Sequence, residues 1–282
     1  MSPDPNHPSA RAVAAWSAAC LLIVLMTTNP AYKALVFAAA LCALAASAGP
    51  RRITRLLLAV TVVASFAALL NFVSAHLGET VLFSLPPAIP ALGGPYTVEA
   101  LAFGAAGGLT IAAAILAVAP FSLLLDPNDI VDALPSTLAR SGAVIAASLN
   151  LVPAVGATFV QVSEAQRMRG WRPRGPRSWA EVVVPVVLTS VESSLQLAES
   201  MEARGFGAGA RTHVAPPRIS ATDWLVITSS AAAVGVFIAS TAAGWAQQWA
   251  PYPLLTAPAI DPRPLLACAL LFVPVVAWRS RR

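Results

Sequence analysis

Charge is what this sequence has least of. Only 11% of its 282 residues are Asp, Glu, Lys or Arg, while 57% are hydrophobic and the mean hydropathy is +0.71. A soluble domain carries about 25% charged residues. A chain this long with so few charges cannot cover a water-facing surface, so part of its solvent is lipid. Histidine and cysteine are also scarce. His7, His76 and His213 lie far apart and share no ligand spacing, which argues against a metal site and against a nucleophile–base–orienter triad. Cys20, Cys42 and Cys268 sit in apolar runs without a C-x-x-C pair and read as small buried hydrophobes. No G-x-x-x-x-G-K-[ST] loop occurs, so the chain has no phosphate cradle of its own and calls for no cofactor. A pI near 9.7 would suit a nucleic-acid binder, but no aromatic-and-basic module accompanies it.

What the chain does have is apolar length. Runs able to cross about 30 Å at about 1.5 Å per residue lie at roughly 12–28, 31–48, 53–76, 99–125, 222–246 and 263–278. The last is short and contains Pro274. The first could imitate a signal peptide, but no small-residue cleavage pattern follows it, so it reads as a retained helix. Between 126 and 220 the pattern changes. Asp126-Pro127-Asn128-Asp129 opens a short polar helix, about 127–136, and two long helices follow at about 139–169 and 178–204.

Hydropathy alone would make either long helix a span, and charge decides otherwise. If 139–160 crossed, Arg167, Arg169, Arg172, Arg174 and Arg177 would all lie outside, against the tendency of basic residues to stay in the cytoplasm. With both helices kept inside, 16 of the 18 Lys and Arg are cytoplasmic, Lys33 and Arg263 are outside, and loop 77–97 has neither residue. The expected fold class is an all-α membrane protein. About six transmembrane helices, four in 1–125 and two in 221–282, flank a cytoplasmic module at 126–220, with both termini in the cytoplasm. Glu181, Glu192, Gln196 and Glu199 fall on one face of the second long helix, whose other faces carry Val, Leu and Ala. Such a helix suits a membrane boundary or a groove between partners. Gly104, Ala105, Gly107 and Gly108 mark the fourth span for close helix approach, and for a sliding contact with a partner.

Both long helices end alike. One closes Glu164-Ala-Gln-Arg-Met168-Arg169-Gly170-Trp171, the other Glu199-Ser-Met-Glu202-Ala203-Arg204-Gly205-Phe206. A glycine in the left-handed conformation stops a helix, and the aromatic beyond it can fold back on the last turn. The arginine then sits at the negative end of the helix dipole. Its planar fork of donors suits the carboxylates and carbonyls of a partner. Arg-Gly is common at helix ends, so one copy would say little. Two copies on consecutive helices suggest two docking sites, as on a dimer of partner subunits.

With these motifs the chain resembles the transmembrane T component of energy-coupling factor (ECF) transporters, the EcfT/CbiQ family, over nearly its whole length. His7-Pro8 before the first span, Asn29-Pro30 after it, and Asp126-Pro127 through Leu134-Pro135 fit the pattern. Ala203-Arg204-Gly205 matches the family's Ala-Arg-Gly signature, while Met168-Arg169-Gly170 has Met in place of Ala. A sixth span is a further departure. The resemblance implies a prokaryotic cell-membrane protein that is not an enzyme. Its coupling helices would engage two ATP-binding subunits through Arg169 and Arg204. ATP and Mg would be bound by those subunits, and the substrate, a vitamin or transition metal, by a small membrane S component. Three other readings compete, one of them a non-transport membrane scaffold, against which only the motif pair argues. The permease of a conventional ABC importer is suggested by Glu164-Ala165-Gln166 with Gly170, but needs only one such loop. A stand-alone secondary transporter predicts mid-membrane ionisable residues or inverted repeats, and neither is visible.

Overall fold

The computed structural model describes residues 8–47, 49–75, 77–86, 93–125, 139–205 and 220–279. The short polar helix expected at 127–136 lies outside them, as do His7, His76, His213 and Phe206. The chain forms two compact units, one from residues 1–126 with 219–282 and one from 127–218.

The first unit is a helix bundle. α1 (Ala10–Met26), α2 (Pro30–Ser47), α3 (Pro50–Ser74) and α4 (Val98–Leu124) precede the second unit, and α7 (Ala221–Ala242), α8 (Pro262–Leu270) and α9 (Val273–Arg279) follow it. Their starts are chemically marked. Ser9 Oγ accepts the Ala12 N–H, and Thr97 Oγ1 accepts the Ala100 N–H. Ser220 and Asp223 form a reciprocal capping box. The core lies where α1, α2, α4 and α7 meet, around the fully buried Trp16, Tyr32, Leu116 and Phe237. By contrast, among its described side chains α3 buries only Val60 and leaves Leu58, Val62, Phe66 and Leu69 facing outward, as a lipid-facing helix does.

Among the described residues, five helices are long and apolar enough to cross a membrane: Pro30–Ser47, Arg51–Ser74, Val98–Leu124, Arg177–Ala203 and Ala221–Ala242. The protein is an all-α, multi-pass membrane protein. Its spans differ in detail from the expected six. α1 has 17 residues, about 25 Å of helix and a little short of the hydrocarbon core. The run at 263–278 is two short helices with a break at Leu271-Phe272. The cause is Pro274, which has no N–H to give the Leu270 carbonyl. The segment Arg177–Ala203, which charge assigns to the cytoplasm, passes the same length and composition test as the spans.

Loop 77–97 also holds structure that hydropathy does not announce. β1 (Val81–Leu85) pairs antiparallel with β2 (Gly94–Thr97), and Phe83 stacks on Tyr96 with centroids 4.7 Å apart. Glu99, fully buried at the start of α4, accepts the Thr80 N–H at 3.2 Å and anchors the hairpin's base.

The C-terminal helices are tied to the first two. Trp16 Nε1–H donates to the Leu271 carbonyl at 2.9 Å, Asn29 Nδ2 to the Ala259 carbonyl at 2.7 Å, and the Asp261 N–H to Tyr32 Oη at 2.9 Å. Trp16–Trp278 and Tyr32–Phe237 add edge contacts between rings. Trp16→Phe keeps an aromatic ring but removes the donor and part of the buried indole, leaving a carbonyl one bond short. It should cost about 1–3 kcal/mol and lower the melting temperature of the detergent-solubilised protein by about 2–12 °C. The two cations expected outside are both engaged within the unit. Lys33 is buried and donates to Thr110 Oγ1 at 2.6 Å, and the Arg263 guanidinium lies 3.7 Å from the Trp245 ring centre.

Candidate functional site

Among the described residues the second unit is built from α5 (Ala139–Met168), an eleven-residue turn ending in a short 3-10 stretch (Pro176–Trp179), and α6 (Ala180–Ala203). Val182 and Val186, one turn apart on α6, are buried against Val155, Phe159 and Val162 of α5. Further along, an open apolar groove of about 410 Å³ runs between Leu151 on α5 and Val187, Val191 and Leu195 on α6. The chain therefore reverses direction at 169–179, and the start of α6 packs on the end of α5.

The end of α5 has the hydrogen bonds of a Schellman stop. Gly170 adopts φ +89°, its N–H bonds to the Arg167 carbonyl at 3.0 Å, and the Trp171 N–H bonds to the Gln166 carbonyl at 2.9 Å. Arg169 is the last residue before the glycine, and its N–H still reaches the Ala165 carbonyl at 3.2 Å. α6 repeats this. Gly205 has φ +68°, its N–H bonds to the Glu202 carbonyl at 2.8 Å, and the Arg204 N–H bonds to the Ser200 carbonyl at 3.3 Å. The other half of that motif would fall on Phe206, outside the described residues. Each arginine thus occupies the same position in the same kind of helix stop, and both are exposed. Glu164, Glu199, Glu202 and Ala203 are exposed around them.

The two ends are not adjacent. Arg169 stands at the turn and Arg204 at the far end of α6. A helix of 24 residues puts about 36 Å between the two ends. The structure therefore does not gather the predicted residues into one pocket. It presents them as two separate tips, each with a cation at the negative pole of a helix.

Met168 is 85% exposed, so the residue standing in place of alanine packs against nothing substantial within its unit. Met168→Ala should leave the melting temperature within about 1 °C, as exposed substitutions away from special features do, and a differential scanning measurement checks it. Trp171, by contrast, is buried at 8% exposure. Sequence reasoning did not single out Phe159, Ser178 or Trp179, which surround it. Their one signal was a Ser-Trp pair just ahead of an apolar helical run. Among the described residues, no group of three or more His, Cys, Asp or Glu side chains converges as a metal site would need.

A family profile described as CbiQ, cobalt transport protein, covers residues 4–214. That stretch includes both Arg-Gly stops and ends before α7. No curated protein matches the chain. A multi-pass membrane chain matched over most of its length by this profile is a component of micronutrient transport, and it belongs to the CbiQ family of cobalt transport proteins.

Proposed function

We propose that this chain is the T component of an ECF-type importer, the membrane subunit that passes ATP-driven motion to a substrate-binding partner. The observation that carries the reading is the duplicated stop. Two helices end in the same Arg-Gly geometry, the arginines are exposed, and their tips lie about a helix length apart. A single partner pocket would need one tip, whereas a dimer of ATP-binding subunits offers two grooves. Arg169 enters one and Arg204 the other, each guanidinium meeting carboxylates or carbonyls in a planar fork. ATP and Mg are held by those subunits.

The apolar side of the module fits the second partner. Val183, Val184, Leu188 and Leu195 are exposed on α6, a face that water does not favour. In this reading a small membrane S component covers it and brings the vitamin or metal ion, cobalt being the cargo that the family's description names. Substrate choice then belongs to the S component.

Co-purification from the native membrane tests the proposal. The expected result is that an ATP-binding pair and one small membrane protein accompany the chain. Uptake by the chain alone in liposomes, without nucleotide, would sink it. Orientation has its own test. In this reading the module and both termini lie in the cytoplasm of a prokaryotic cell, so Arg174→Cys, in a background with the exposed Cys42 replaced by Ser, should react with a membrane-impermeant maleimide only in inside-out vesicles. Labelling of intact cells would reverse the topology.

A further inference from the structure

Between Arg169 and α6 the chain has ten residues in which to turn, among them Gly170, Pro173, Gly175 and Pro176. Its contacts make it a joint. The Trp171 side chain sits in the notch between Val182 and Val186 of α6 and Val155, Phe159 and Val162 of α5. Its Nε1–H donates to the Ser178 carbonyl at 2.8 Å. The Ser178 hydroxyl accepts the Arg174 N–H at 2.9 Å and donates to the Gly175 carbonyl at 2.8 Å. Trp179 lies parallel to Phe159 with centroids 6.1 Å apart and meets Trp171 edge-on at 5.4 Å. Gln166 Nε2 reaches across to the Glu181 carbonyl at 3.2 Å.

Two consequences follow from where these contacts fall. Trp171 is also the residue whose N–H closes the stop of α5, so the indole that grips α6 is two residues from Arg169. The last turn of α5 cannot rotate without moving the indole, nor the indole without moving Val182 and Val186. Further along, every α6 residue from 191 to 200 is exposed within the unit. The angle between the rods is set at the joint.

We propose that Trp171 is a positioning residue for energy coupling, the pin that makes α5 and α6 turn as one lever, so that displacement imposed at Arg169 appears along α6 and at Arg204. This rests on the docking of both tips by ATP-binding subunits. A loose pin leaves docking intact and wastes the motion. A group held about 1 Å from its working position loses most of its effect, and here that loss falls on the yield of transport per ATP.

The test uses the full complex reconstituted in liposomes, with co-purification of the ATP-binding pair, ATP hydrolysis and substrate uptake measured together. Trp171→Ala should retain the pair and hydrolyse ATP within about twofold of wild type, while uptake per ATP falls by about tenfold or more. Trp171→Phe, which keeps a ring in the notch, should recover most of that loss. Spin labels at Gln161→Cys and Gln196→Cys, in a background with Cys42 replaced by Ser, should give a narrow distance distribution in wild type and in Trp171→Phe, and a broad one in Trp171→Ala. Wild-type uptake per ATP in Trp171→Ala, or an unchanged distance width, overturns the proposal. Should Trp171→Ala fail to accumulate, Trp179→Ala decides. It removes a partly exposed ring that braces the indole, and should lower uptake per ATP by about threefold; a wild-type value overturns the joint. Arg169→Glu separates the two ideas. If it loses the ATP-binding pair while the tryptophan variants behave as wild type, only the joint fails. If it keeps both the pair and uptake, the docking reading fails and takes the joint with it.

Discussion

Arg204→Glu should strip the ATP-binding subunits from this protein and abolish uptake while leaving the chain inserted and folded. Within the chain the cost is small. Arg204 is exposed at the end of α6, so placing a carboxylate there costs about 0.3–1 kcal/mol against the helix dipole. At a docked interface the cost is of another order. Losing a guanidinium from a hydrogen-bonded charge pair costs about 2–5 kcal/mol, roughly 30-fold to several thousand-fold in affinity, and the reversed charge adds repulsion. Arg204→Lys should fall between, since a point charge replaces a planar fork. Arg169→Glu should behave in the same way at the other tip. About a helix length apart, the two sites share no contacts, so their losses should add, and the double variant also loses the gain from binding at two points. Co-purification of the ATP-binding subunits with each variant, beside uptake in the same cells, reads the result. Normal uptake by Arg204→Glu would remove the docking role, and with it the functional reading.

The tips were legible in the sequence because their chemistry is local. A glycine needed at positive φ, an arginine before it and an aromatic after it are neighbours in the chain, and φ values of +89° and +68° bear out Gly170 and Gly205 as helix stops. What was not legible depends on contacts between distant segments or on contrast that an apolar chain lacks. The notch around Trp171 draws on Val155, Phe159 and Val186, which stand in the sequence among many other apolar residues. The hairpin at 81–97 is held by Glu99 reaching back to Thr80 and by the stacking of Phe83 on Tyr96, pairings that no periodicity reveals. The break at Leu271-Phe272 was half visible, since Pro274 was plain and its consequence was not. α6 shows the limit of hydropathy as a guide, because it passes the length and composition test of a span and only the placement of charged and polar side chains argues otherwise.

The small residues of α4 make the last distinction, and substitution there should separate glycines that look alike. Sequence marked Gly104, Gly107 and Gly108 together. In the fold, a Cβ on Gly104 would stand 2.6 Å from the Ala68 carbonyl oxygen, and one on Gly108 2.7 Å from that of Ala64, whereas one on Gly107 meets nothing within 4 Å. Gly104 and Gly108, four residues apart, share the face on which α3 rests. Gly104→Ala and Gly108→Ala each force backbone apart from backbone, with no flexible side chain to yield. Each should cost about 1–3 kcal/mol, and the double variant should lower the melting temperature by about 4–24 °C if about 2–4 °C accompanies each kcal/mol. Gly107→Ala should be neutral or stabilising by up to about 1 kcal/mol, because alanine is the better helix former. The effect is large for so small a change because α3 has little else to hold it. Among its described side chains Val60 alone is buried, and its packing is almost all against α4. Hydrogen exchange should show α3 losing protection in the double variant before α1, α2 or α7, whose contacts lie elsewhere. Equal losses from all three alanine variants would mean that the close approach of α3 to α4 does not hold this helix in place.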